Sequence, residues 1–207
     1  YGRKPWTFNS GGEGSSLSMT LDGGKTWEKL NGKNGLPDGP YGRIGIAMAQ
    51  SDPKVVYALI ESEKTGLYCS NDGGFTWKLQ ATEDIGNRPF YYADIFVHPK
   101  AKNTIYNLYS MVSKSIDGGK NFEVILPYSG AHPDHHAFYI HPENPDLMLD
   151  GNDGGLNISR DGGEHWQFVN NLPVGQFYHI NYDLETPYHI YGGMQDNGSW
   201  KAPAYAW

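Results

Sequence analysis

Apolar residues in this chain come in short bursts rather than long stripes. VVYAL (55–59), TIYNL (104–108), DLMLDG (146–151) and YHIYGG (188–193) are five or six residues long, and each follows a turn that contains proline. No long stretch places apolar residues at i, i+3, i+4 and i+7, so the pattern predicts β-strands and not helices. In the unit around residue 140, AFYIHP is the expected innermost strand A, DLMLDG strand B, LNISR strand C and HWQFV strand D.

A turn of nearly constant wording separates C from D. It reads TLDGGKTW (20–27), SNDGGFTW (70–77), SIDGGKNF (115–122) and SRDGGEHW (159–166). Its aspartates, Asp22, Asp72, Asp117 and Asp161, lie 50, 45 and 44 residues apart. The strand–proline turn–strand segments recur in phase with them. A period in this range marks a repeat architecture, and a four-stranded propeller blade has this length. The aspartate is suited to accept backbone N–H groups, and the glycines to take positive φ. The ring that follows (Trp27, Trp77, Phe122, Trp166) is expected to be buried between neighbouring sheets, where a ring covers ~150–250 Å². The expected fold is an all-β propeller of about four consecutive four-stranded blades. Approximate limits are 1–39, 40–87, 88–130 and 131–173, with 174–207 starting a further blade.

Composition agrees and narrows the partners. Gly 27, Pro 13, Tyr 15, Trp 6 and Phe 8 in 207 residues favour turns and short aromatic strands. The net charge of −7, without a Lys/Arg cluster, argues against a nucleic-acid partner. No apolar run is long enough to span a bilayer. The opening YGRKPWTFNSGG does not read as a signal peptide, and the chain reads as if it starts within a domain. Cys69 is the single cysteine, so no internal disulfide is possible; it reads as a small strand residue. No phosphate-binding loop and no defensible Ser-His-Asp arrangement is present, and no cofactor is implied.

The turn pattern Ser/Thr-x-Asp-x-Gly-x-Thr-Trp resembles the Asp-box, or BNR, repeat. Asn121 and Phe122 depart from it at the third turn, and His165 at the fourth. Propellers with this repeat include sialidases, xyloglucan-type glycoside hydrolases and the sortilin/Vps10 ectodomain. Over most of the chain, GPYGRIGIA, NRPFYYADIFVHP, HPDHHAFYIHP, GNDGGLNISRDGG and YGGMQDNGSW resemble large bacterial sortilin-like, BNR-repeat proteins often labelled glycosyl hydrolases. The resemblance implies a secreted or cell-surface protein. It also implies that the repeated turns are structural and lie away from any active site.

If strands run A to D from the centre outwards, the repeated turns and the proline turns share one face. D-to-A and B-to-C loops share the other, and most of the chemically interesting residues lie there. The D-to-A loops carry Arg43; Arg88, Tyr91 and Tyr92, with Asp94 just beyond; His132, Asp134, His135 and His136; and Gln176, Tyr178 and His179. The B-to-C loops carry Asn152 and Asp153, then Gln195, Asp196 and Asn197, with Trp200 after them. Polar groups converging on one concave surface make a binding site. Alternate strand residues share a face, so His132, Asp134 and His136 are candidate ligands for a metal, though no fourth ligand is identified. Asp134, Asp153 and Asp196 are candidate catalytic acids, since glycosidases use two carboxyls; Asp153 and Asp196 also fit simple turns. The residues favour a module that binds a glycan or a protein or peptide ligand. The alternatives are a glycoside hydrolase and a structural subunit of a surface assembly. Four blades leave open edges, which further blades or neighbouring chains would cover.

Overall fold

A computed structural model describes residues 2–86, 90–172 and 174–205, and Arg88 lies outside the described residues. Among these residues there are nineteen strands, one 3-10 turn (Gly32–Asn34) and no α-helix. Among the described residues no helix is long and apolar enough to cross a membrane.

The strands form antiparallel meanders, each hydrogen-bonded in chain order. Blade 1 contributes β3 (Ser18–Met19) and β4 (Glu28–Lys29), preceded by a hairpin of β1 (Gly2–Lys4) and β2 (Thr7–Asn9). Blade 2 is β5 (Ile44–Met48), β6 (Val56–Ile60), β7 (Gly66–Ser70) and β8 (Lys78–Ala81). Blade 3 is β9 (Asp94–Val97), β10 (Ile105–Leu108), β11 (Val112–Ser115) and β12 (Glu123–Leu126). Blade 4 is β13 (His135–Ile140), β14 (Met148–Asn152), β15 (Gly155–Ser159) and β16 (Gln167–Phe168). Blade 5 is β17 (Phe177–Tyr182), β18 (His189–Met194) and β19 (Ser199–Pro203). The architecture is that of an all-β propeller.

Why VYALI is apolar at every position follows from the stacking of blades. Side chains alternate between faces along a strand, and both faces of β6 are covered. Val56, Ala58 and Ile60 pack with Leu30, Leu36 and Trp77 on the blade 1 side. Tyr57 and Leu59 pack with Ala93, Ile95 and Ile105 of blade 3. A third cluster, with Tyr106, Leu108, Phe138 and Met148, joins blade 3 to blade 4. Each fully buried Leu, Ile or Val contributes about 1.5–3 kcal/mol. The inner strands approach closely: a Cβ on Gly45 would lie 1.5 Å from the carbonyl oxygen of Ala93, so only glycine fits there.

The repeated turns are built alike. In each, the Ser/Thr hydroxyl donates to the first oxygen of the aspartate and accepts the second glycine's N–H; in blade 2 these are Ser70 to Asp72 at 2.7 Å and Gly74 to Ser70 at 2.8 Å. The residue four beyond the aspartate donates its N–H to the same carboxylate: Thr26, Thr76, Asn121 and His165, at 2.9–3.1 Å. Its side chain bonds the other oxygen, through a hydroxyl in Thr26 and Thr76, the amide of Asn121 and the imidazole of His165. The departures from threonine therefore preserve the bond. These donors hold the carboxyls low, to about 2 for Asp22, Asp72 and Asp161, and lower Asp117 as well. Both turn glycines take positive φ in all four turns.

The first turn glycine also donates to the proline-type turn of the same blade: Gly73 to Lys54 O, Gly118 to Asn103 O and Gly162 to Asp146 O, at 2.8–3.0 Å. The two in-phase landmarks of the sequence are thus bonded to each other, on one face. On that face blades are also tied to their neighbours, by Lys102 to Asp52 at 2.8 Å and Lys100 to Glu143 O at 2.6 Å.

The ring is fully buried, as expected, only at the second turn; Phe122 and Trp166 are half-buried against the neighbouring clusters, and Trp27 departs outright. Trp77 is 4% exposed, but Trp27 is 64% exposed. The turn rings face the preceding blade, as the packing of Trp77 against Leu30 and Leu36 illustrates. No preceding blade covers Trp27 among the described residues.

Candidate functional site

The opposite face carries a continuous arc of side chains from blade 2 to blade 5. At one end Arg43 donates to Tyr91 O at 2.8 Å and pairs with Asp94 at 3.3 Å. Glu61, on the β6–β7 loop, accepts from Arg43 N at 2.8 Å and Ser10 Oγ at 2.6 Å. The β1–β2 hairpin lies over this end: Phe8 contacts Phe90 at 4.3 Å, and Arg3 donates to the Tyr91 hydroxyl at 3.0 Å. The rings continue from Phe90 to Tyr91 at 4.6 Å, to Tyr92 at 6.1 Å, and to His136, stacked on Tyr92 at 5.5 Å.

His136 Nε2 lies 3.7 Å from the Asp153 carboxylate. Asp153 stands on the β14–β15 turn among acids. Partial burial pushes its carboxyl up; Asp134, Asp196 and a hydrogen bond with the Asp196 side chain push the same way, and His136 opposes them. Asp134 and Asp196 both adopt positive φ, 68° and 55°, which asparagine and aspartate tolerate better than most residues.

Several candidates turn out to be framework. His135 is 1% exposed and cannot reach a ligand. Its Nδ1 bonds Asp150 at 2.8 Å, and Asp150 also accepts from Asn152 and Asn157. A buried carboxylate is tolerated when its lone pairs are filled in this way. Asn152 completes the network, its Oδ1 taking the N–H groups of Gly154 and Gly155. Tyr92 is 4% exposed and serves as the floor beneath His136. Asn197 clasps two loops, donating to Asp153 O and Gln195 O at 2.8 Å each. The ring nitrogens of His132 face Pro133 O and Asp196 O, so they do not converge with Asp134 and His136 on an ion. The compact sets of possible metal ligands among the described residues lie elsewhere, at Asp161–Glu164–His165 and Asp183–Glu185–His189. In the second set Asp183 is already engaged by His189 and Tyr191.

Beside Asp153 a cleft of about 710 Å³ opens between blades 4 and 5. Its polar lining includes Asn170, Gln176 and Gln195, and its apolar lining includes Phe168, Leu172 and Trp200. Phe168 and Trp200 are 52% and 62% exposed. Of these, Gln176, Gln195 and Trp200 were legible as mouth residues. Glu61 was missed although it sits on a B-to-C loop; applying the loop sorting to blade 2 would have found it. Phe168 and Leu172 carried no sequence signal of their own.

No protein-family model matches the chain, and no curated protein matches it. Solved structures do resemble it. An ancestral GH74 enzyme superposes with a TM-score of 0.57 at 14% identity, covering 90% of this chain and 28% of its own. The GH74 enzyme of Niastella koreensis gives 0.54 at 16% identity, covering 77% and 28%. YCF48 bound to D1 peptide is also similar, at 15% identity and a TM-score of 0.42, covering 93% of this chain and 87% of its own. At these identities the likeness to the two GH74 enzymes shows the fold alone. The chain spans about a quarter of the GH74 enzymes' length.

Proposed function

We propose that this chain is a ligand-binding part of an Asp-box (BNR-repeat) propeller of the sortilin/Vps10-like kind, taking a neutral glycan on the face opposite the repeated turns. The cleft between blades 4 and 5 carries the reading. Exposed rings present flat apolar surface to the C–H face of a sugar, and side-chain amides offer both donors and acceptors to its hydroxyls. Arg43, the obvious anchor for an anionic ligand, is committed to Asp94, and the acids around Asp153 disfavour anions further. A secreted or cell-surface location, and further blades at the open faces, go with this reading.

The second reading, a glycoside hydrolase, rests on the raised carboxyl of Asp153, a property a general acid needs. A glycosidase needs a second carboxyl ~5–5.5 Å or ~6.5–9.5 Å from the first, and Asp134 and Asp196 are the acids beside Asp153. Calorimetric titration with neutral oligosaccharides and with peptides, run beside a reducing-end assay, separates the cases. The binding reading expects saturable heat from an oligosaccharide, lost in Trp200→Ala, and no new reducing ends. Heat from peptides alone would overturn the glycan assignment, and turnover abolished by Asp153→Asn would establish the enzyme.

A further inference from the structure

The strand registers give each position of blade 5 a counterpart in blades 3 and 4. Val97 pairs with Ile105 and Ile140 with Met148; the same place in blade 5 is Tyr182 with Ile190. Two residues back along the first strand, Ile95 and Phe138 correspond to Ile180. On the third strand Ser113 and Asn157 correspond to Trp200.

These positions face the preceding blade, and there the likeness ends. Ile95 and Phe138 are 6% and 8% exposed, but Ile180 is 68% exposed. Ile105 and Met148 are 0% and 1% exposed, and Ile190 is 38% exposed. The facing side of blade 4 is open to match. Tyr139 is exposed and Leu149, Leu156 and Ile158 are half-buried, whereas Tyr106 and Val112, the blade 3 counterparts of Leu149 and Leu156, are fully buried. The hydrogen bonds joining blades 4 and 5 lie at the mouth end, Asn197 to Asp153 O and His132 with Asp196 O.

We propose that blade 5 is a jaw: it closes onto blade 4 as blades 2, 3 and 4 close on one another, and a ligand in the cleft draws it shut. Two apolar faces already held opposite each other by one end need no further partner to be buried. The partner of Ile180, Tyr182 and Ile190 is the blade 4 face that carries Tyr139, Leu149 and Ile158. Closure brings the Trp200 side of blade 5 toward Phe168 of blade 4, so it would grip whatever occupies the cleft. The ligand-driven part rests on the glycan reading; the closure does not.

The test uses spin labels on cysteines introduced at Glu164 and Leu184, both exposed and on the face away from the mouth. Cys69 is buried and does not compete for label. Pulsed electron resonance is expected to give a population shorter than the open separation in free protein, growing as oligosaccharide saturates the cleft. Ile180→Asp with Ile190→Asp, changes to residues exposed in the open form, should remove the short population and weaken oligosaccharide binding at least tenfold. A single open distance with and without oligosaccharide overturns the proposal. If no oligosaccharide gives calorimetric heat, the glycan reading falls by itself, and the free-protein distribution still decides closure.

Discussion

Trp27 and Trp77 occupy the same position of the same turn, and each indole N–H donates to the carbonyl of the second turn glycine, at 3.2 and 2.9 Å. They differ in burial, 64% against 4% exposed. Replacing each by alanine therefore isolates packing between blades from the local bond. Trp77→Ala empties a site enclosed by Leu30, Leu36, Val56 and Ala58, and large-to-small changes of this kind cost ~3–5 kcal/mol. Trp27 buries little over a third of its surface, ~90 Å² of a large ring, which at ~25 cal/mol per Å² is at most about 2 kcal/mol. Urea unfolding with a common slope measures both. In a chain of this size Trp77→Ala should lower Tm by roughly 6–20 °C. Equal losses from the two variants would mean that the ring acts through its own turn, and the inter-blade role would be wrong.

Gly45→Ala should destabilise by ~1–3 kcal/mol or more in the same assay, because the new methyl meets the Ala93 carbonyl. Asp150→Ala strands a buried imidazole and two amides and should cost ~3–5 kcal/mol; His135→Ala should cost nearly as much. At the fourth turn His165→Thr should stay within ~0.5 kcal/mol of the parent, since threonine restores the donor found in the first two turns. The acid limb of stability follows from the turn aspartates. Their folded pKa values are depressed, so their contribution is complete above the unfolded value near ~4 and is lost as pH falls through about 2. Asp153 is shifted the other way and loses stability as pH rises through its raised value, so Asp153→Asn should leave the protein at pH 7 as stable as the parent or more so.

The fold was legible because each blade repeats the same local chemistry. An aspartate, two glycines and a side-chain donor close a hairpin by contacts within eight residues, so four copies can be recognised without tertiary information. Even Asn121 and His165 are understandable in advance as donors. The face assignment followed from strand order alone. What stayed hidden depends on neighbours in space. Nothing in HPDHH distinguishes the buried His135 from the exposed His136; a bulge between His135 and Ala137 and the approach of Asp150 decide it. Asn152 and Asn197 read as free amides, yet backbone groups on adjoining turns consume them. The exposure of Trp27 and of Ile180 is set by what lies beside them in space, which a residue's own letters do not record.

The proposed binding face lies opposite the fastening face. Hydrogen exchange with and without a bound neutral oligosaccharide tests it most directly. Added protection is expected at residues 152–155, 168–172, 174–176 and 194–200, with the turns at 20–27, 70–77, 115–122 and 159–166 unchanged. Protection concentrated on those turns instead would place the ligand on the wrong side of the molecule and contradict the account.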